Sequence, residues 1–156
     1  MRAVDVQIVN FPETKVAVLE HRGPPHLECN TVRKLIEWRL ENRLSPDQHR
    51  SYGIHYNDPR TTPPEHYRAD FCISVEHDIP STPQGVVNKI IPGGRCAVVR
   101  HFGSRENVSA ASYLCEVWFP DSGEVLRDFP LFFHYVNVGP GVQEHEMITD
   151  VYLPVL

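Results

Sequence analysis

Histidine is the residue that most invites a chemical reading here, with nine in a chain of 156. Metal binding needs imidazole, thiolate or carboxylate groups at short, fixed spacing. His21, His55, His101 and His134 are spread along the chain with no HExxH motif. Glu144-His145-Glu146 places three donors side by side, but in a polar stretch without a second nearby histidine. Cys29, Cys72, Cys96 and Cys115 contain no CxxC pair and match no zinc framework. Cys72, Cys96 and Cys115 sit in apolar runs and read as reduced core thiols. No GxSxG elbow supplies an activated serine. The expectation is therefore no catalytic residue, no metal and no cofactor. What remains is a set of aromatic rings that could stack on an apolar ligand.

The elements that would position those rings follow from periodicity. Fourteen prolines and nine glycines imply many turns and short elements, and 41% hydrophobic residues are enough for a core. Alternation predicts strands near 4–9 and 15–20. Apolar residues at helical spacing predict a helix over about 27–44, stopped by Ser45-Pro46. Strands near 52–56 and 69–75 flank a loop containing Asp58-Pro59 and Pro63-Pro64, which no helix could cross. Residues 76–85 read as a linker. Strands near 86–91 and 95–101, a helix over 105–118, a turn at Pro120–Gly123, and strands near 129–137 and 150–155 complete the chain.

The second half repeats the first. An offset of 80 residues pairs Pro12 with Pro92, His21 with His101, Gly23 with Gly103, Trp38 with Trp118 and Asp70 with Asp150. His55-Tyr56 pairs with His134-Tyr135 at an offset of 79, which implies a one-residue slip there. The expected fold class is α+β: duplicated β-α-β-β repeats with pseudo-twofold symmetry. They would form an antiparallel sheet with two helices on one face and a ligand groove between the repeats. The expected organisation is one domain over 1–156, with repeat 1 at about 3–76, a linker at about 77–85 and repeat 2 at about 86–156.

The net charge of −5 offers no general attraction to nucleic acid or to an anionic membrane. No apolar run is long enough to span a bilayer. Asp5 stands where a signal peptide needs its apolar core. A cytoplasmic protein without direct nucleic-acid or membrane binding is expected.

Five stretches carry a family resemblance: VAVLEHRG (16–23), YGIHYNDP with PPEHYRADFCISV (52–75), PGGRCAVVRHFG (92–103), Trp118-Phe119-Pro120 and the terminal TDVYLPV. Together they resemble the GyrI-like effector-binding family. Its domain also forms the C-terminal half of AraC-type and MerR-type multidrug-responsive regulators. The resemblance implies binding of hydrophobic, often cationic, small molecules. A chain starting at the first strand leaves no room for a DNA-reading helix-turn-helix, so a stand-alone binding domain is expected. The resemblance also implies two alternatives. One is a gyrase inhibitor or regulator-interacting protein, with DNA gyrase or a transcription regulator as partner. The other is a hydrolase of strained-ring genotoxic compounds. A haem-binding role through His55 or His134 is a further reading.

One departure bears on all of these. The family pattern Glu-x-Tyr reads Phe133-His134-Tyr135 here, so the tyrosine is kept and the acid is replaced. Loss of that carboxylate removes a partner for a cationic ligand and a general base for hydrolysis. Only another acid, with Glu116 as the candidate, could restore the latter. The expected ligand is thus a mostly apolar molecule, and the expected contacts are Trp118, Phe133, Tyr135 and Tyr152. Tyr52 and Tyr56 are their first-repeat analogues, and Trp38 mirrors Trp118. Each ring could equally serve ordinary helix-to-sheet or sheet packing.

Overall fold

The computed structural model describes residues 5–156. The fold is α+β, and every strand pairing described is antiparallel. The strands are β1 (Gln7–Phe11), β2 (Thr14–Arg22), β3 (Ser51–His55), β4 (Arg68–Ser74), β5 (Val87–Ile91), β6 (Gly94–Phe102), β7 (Phe132–Tyr135) and β8 (Ile148–Pro154). Helix α1 spans Glu28–Glu41. The second helical region has three parts: α2 (Ser109–Ser112), a π-helical stretch (Tyr113–Trp118) and α3 (Phe119–Ser122).

Two compact units result, and they do not follow the sequence repeats. The continuous unit is Thr14–Ile91; the composite unit joins the residues through Glu13 to Pro92–Leu156. The first strand of each repeat is exchanged. β1 pairs with β6 of the later repeat, and β5 pairs with β2 of the earlier one. The continuous unit is then β5-β2-β4-β3 with α1, and the composite unit is β1-β6-β8-β7 with the second helical region. The expected strand near 4–9 lies two to three residues later, at Gln7–Phe11; residue 4 is outside the described residues.

Local chemistry repeats between the units along with topology. Gly23 and Gly103 both adopt positive φ, 115° and 107°, a region open to glycine because it has no Cβ. Their N–H groups donate to Tyr67 O at 3.0 Å and Met147 O at 2.8 Å. Asn57 Oδ1 accepts the Arg68 N–H, as Asn137 Oδ1 accepts the Ile148 N–H. Gly93 is required for a different reason: a Cβ there would lie 2.8 Å from the Glu13 backbone N.

The expected register slip at β3 and β7 is absent. Tyr52 pairs with Cys72 as Phe132 pairs with Tyr152, and His55 pairs with Ala69 as Tyr135 pairs with Thr149. The offset of 80 therefore holds through these strands. His55 corresponds to Tyr135, and Tyr56 corresponds to Val136. Backbone hydrogen bonding, not the shared His-Tyr letters, sets the correspondence.

A one-residue slip occurs instead in the helices. The core-facing leucine and tryptophan are Leu35 and Trp38 in α1, but Leu114 and the half-buried Trp118, one residue further apart, in the second region. The π-helical stretch absorbs that extra residue, since i→i+5 bonding widens one turn. By this correspondence Ala110 takes the place of Thr31. The turn expected at Pro120–Gly123 is helical up to Ser122. Pro120 is tolerated because it lies in the first turn of α3, and Gly123 ends the helix at φ 75°.

Candidate functional site

Strand register assigns each aromatic ring to a face, because successive side chains point to opposite sides of a sheet. In the continuous unit, Ala17, Leu19, Ala69, Phe71 and Ile73 face α1 and pack with Leu35, Trp38 and Tyr67. Trp38 is 3% exposed, so its ring is core in this unit. An open cleft of about 720 Å³ passes beside it, lined also by Asn42, His49, Val75, Asp78 and Ile79. His21 lies on the same face. Its Nε2 faces the carbonyl oxygens of Pro24 (3.0 Å) and Gly23 (3.2 Å), which only accept, so Nε2 carries the proton. Its Nδ1 then accepts from the Thr31 hydroxyl at 2.8 Å.

The other face of this sheet carries Tyr52, Tyr56 and a buried charge network. Asp70 is fully buried. Its carboxylate accepts hydrogen bonds from Tyr56 Oη at 2.6 Å, Lys89 Nζ at 2.7 Å and Arg22 at 3.3 Å. Glu20 takes further bonds from Lys89 and Arg22. Burial, and then the Asp70 carboxylate beside it, push the Tyr56 phenol up to about 12. Burial alone would lower Lys89, but its bonds to Asp70 and Glu20 outweigh this and raise it. The Arg68 guanidinium lies 4.8 Å from the Tyr56 ring centre. Tyr52 is buried, and burial likewise raises its phenol. These groups bind one another, and the geometry is that of a satisfied network.

The composite unit distributes its residues differently. On its helix side, Ala97, Val99, Ala110, Leu114, Val151, Leu153 and Val155 form the core. Trp118, Phe133, Cys115 and Phe119 pack against it and remain half-buried. Phe133 and Tyr135 meet edge to face, with ring centres 6.3 Å apart at 85°. Tyr135, Thr149 and His101 form one cross-strand row on this side. Arg105 reaches over the row. Its guanidinium lies 5.1 Å from the Tyr135 ring centre. It donates to Thr149 Oγ1 at 2.9 Å, Asn137 O at 2.9 Å and Ile148 O at 2.8 Å. Burial lowers its pKa from the usual arginine value.

Tyr152 points the other way. It pairs with Phe132, and their rings stack 5.0 Å apart at 2°. Phe11 packs edge-on against both, at 5.0 and 5.3 Å. Asp150 is on this face too, bound to Arg100 by two hydrogen bonds of 2.8 and 3.0 Å. The seven expected contact residues are thus divided among four surfaces. Trp118, Phe133 and Tyr135 share one; Tyr152, Trp38 and the Tyr52–Tyr56 pair occupy others.

Phe133 has Val151 as its cross-strand partner. Asp150 is on the opposite face, and Glu116 is exposed on the π-helical stretch. Among the described residues no group of three His, Cys, Asp or Glu is gathered to hold a metal. The His55 ring nitrogen is enclosed, and burial pulls its pKa down to about 4, which keeps it neutral. Burial also raises the Cys72 and Cys96 thiols. Among the described residues no helix is long and apolar enough to cross a membrane.

Sequence patterns missed Arg105 and the Asp70–Lys89 pair. Both depend on partners brought from distant strands, so no local spacing reveals them. The paired histidines His21 and His101 were visible, but their different surroundings were not.

Comparison with known proteins accords with this architecture. The GyrI-like small molecule binding domain matches residues 4–156, and the chain belongs to that family. It is 44% identical to a protein of Escherichia coli K12 named "Probable transcriptional regulator YgiV", over 97% of this chain and 96% of that one. It is 29% identical to a "DNA gyrase inhibitor" of Erwinia billingiae, over 97% of each. The crystal structure of the EcmrR C-terminal domain has the same fold. The TM-score is 0.77 with 16% identity, covering 99% of both chains.

Proposed function

We propose that this chain binds a hydrophobic, planar small molecule on the helix side of its composite unit, through Trp118, Phe133 and Tyr135. The observation that carries the reading is their half-buried state. On the helix side of the continuous unit Trp38, Phe71 and Tyr67 are instead buried in the core. Half-buried aromatic rings offer large apolar area that a ligand can cover, at about 25 cal/mol per Å². Phe133 stands where the family pattern puts an acid, so that position itself offers no carboxylate to a ligand. Tyr152, Tyr52, Tyr56 and Trp38 act as supports of the two sheets.

The test is a thermal-shift screen with planar hydrophobic compounds, followed by titration of the hits. Phe133→Ala and Trp118→Ala should each weaken every hit by about tenfold or more, the loss expected for a buried aromatic contact. Unchanged affinities would remove the assignment.

The relatives named as a transcriptional regulator and a DNA gyrase inhibitor support a second reading, in which the bound form acts on a protein partner. Purified protein at stoichiometric levels would then alter gyrase supercoiling; no change with or without ligand removes gyrase as that partner.

A further inference from the structure

The two repeat-related histidines differ in one bond. His21 is satisfied at both ring nitrogens, with Thr31 donating its hydroxyl hydrogen to Nδ1. His101 is also buried, though at 9% exposed against 4% for His21, and its Nε2 donates to Ser104 O at 3.0 Å. A carbonyl only accepts, so Nε2–H is fixed and Nδ1 is left as an acceptor. Among the described residues Nδ1 of His101 has no hydrogen-bond partner. The residue in the place of Thr31 is Ala110, and the next residue is Ala111, so the helix supplies no hydroxyl at either position. The nitrogen is not sealed from solvent, so a donor from outside the chain, such as a ligand hydroxyl, can reach it.

The surroundings narrow the ligand further. His101 shares its cross-strand row with Thr149 and Tyr135, on the side of the sheet that carries Phe133. Arg105 adds a positive charge over that row. Its hydrogen bonds all go to neutral oxygens, of Thr149, Asn137 and Ile148. By contrast Arg22, Arg95 and Arg100 each pair with an acid. An uncompensated guanidinium disfavours a cationic ligand. A hydroxyl suits both neighbours: its hydrogen can go to a ring nitrogen and its oxygen lone pairs can face a cation.

Building on the aromatic site proposed above, we infer that its ligand is a hydroxyl-bearing, uncharged aromatic compound of the phenol or naphthol class. Its hydroxyl donates to His101 Nδ1, the role Thr31 plays for His21. Its rings lie against Trp118, Phe133 and Tyr135.

Titration with 2-naphthol and with naphthalene, read by Trp118 fluorescence or calorimetry, tests this on the full chain. Wild-type protein should prefer 2-naphthol by about threefold to tenfold, the range of one net hydrogen bond. Ala110→Ser restores a helix hydroxyl beside His101 and should bring the ratio of the two affinities toward one. Ala110→Val fills similar space without a donor and should keep the preference. Tetraphenylphosphonium, an aromatic cation, should bind more weakly than either probe. Equal affinities in the wild type, or a preference that survives Ala110→Ser, overturn the inference. If both probes bind, Phe133→Ala weakens both, and no hydroxyl preference exists, only this inference falls. If neither probe binds, the aromatic site falls with it.

Discussion

The two units share one frame and spend their side chains in opposite ways. Each has four antiparallel strands, one helical region, a positive-φ glycine after its longest strand and an asparagine closing one loop, before β4 in one unit and before β8 in the other. The continuous unit closes its helix side with Trp38, Phe71 and Tyr67 and buries a charge network on its other face. The composite unit stacks Phe11, Phe132 and Tyr152 on that other face and leaves Trp118, Phe133 and Tyr135 half-buried under a widened helix. In the function proposed above, one unit encloses its rings in the core while the other keeps apolar surface for a ligand.

Trp38→Ala against Trp118→Ala gives the largest expected contrast. Truncating the enclosed ring should cost about 4 kcal/mol of unfolding free energy, and the half-buried one about 2, both by denaturant titration. Equal losses would mean that the two helices are equally tight.

Next comes Asp70→Ala against Asp150→Ala. Removing the fully buried carboxylate takes the acceptor from Tyr56 and leaves Lys89 and Arg22 with Glu20 alone, and should cost about 3 kcal/mol. Asp150 has one arginine partner at a more exposed site, and its loss should cost about 1 kcal/mol or less.

His55 adds a pH test. Its folded pKa of about 4 lies below the unfolded value, so the unfolded state binds the proton more readily. The stabilisation is complete above about pH 6.5 and is lost as pH falls through 4, by up to about 3 kcal/mol. Tyr135 fills the same position in the composite unit. Replacing His55 with Phe should flatten the stability profile between pH 4 and 6.5; an unchanged slope would assign the acid sensitivity elsewhere.

The smallest contrast is Thr31→Ala. Copying Ala110 into the continuous unit removes the donor to His21 and should cost about 1 kcal/mol. A neutral change would mean that His21 does not need its second bond, and it would weaken the case for a ligand hydroxyl at His101.

Much of the fold was legible because its signals are local. Alternation, proline-bounded turns and helical spacing each depend on a few neighbouring residues, and they placed the strands and helices to within a few residues. The placement of the candidate rings was legible in part. Phe133 and Tyr135 stand two apart in one strand, so their shared face followed from alternation, and Trp118 followed from the repeat. Tyr152 looked like their companion only until the β7–β8 register paired it with Phe132 and turned it away. The His-Tyr match at an offset of 79 misled for the same reason: letters can coincide where hydrogen bonds do not.

By itself, then, the sequence determined that this protein is a duplicated α+β chain with aromatic residues repeated at set places. Periodicity and an offset of 80 carry that information without any knowledge of contacts. Tertiary structure alone decided that β1 and β5 change partners, which ring faces which side, and that His101 lost the hydroxyl His21 keeps. Those outcomes depend on which distant backbone groups meet. A strand's own residues cannot specify its partner, because every strand offers the same donors and acceptors along its edges.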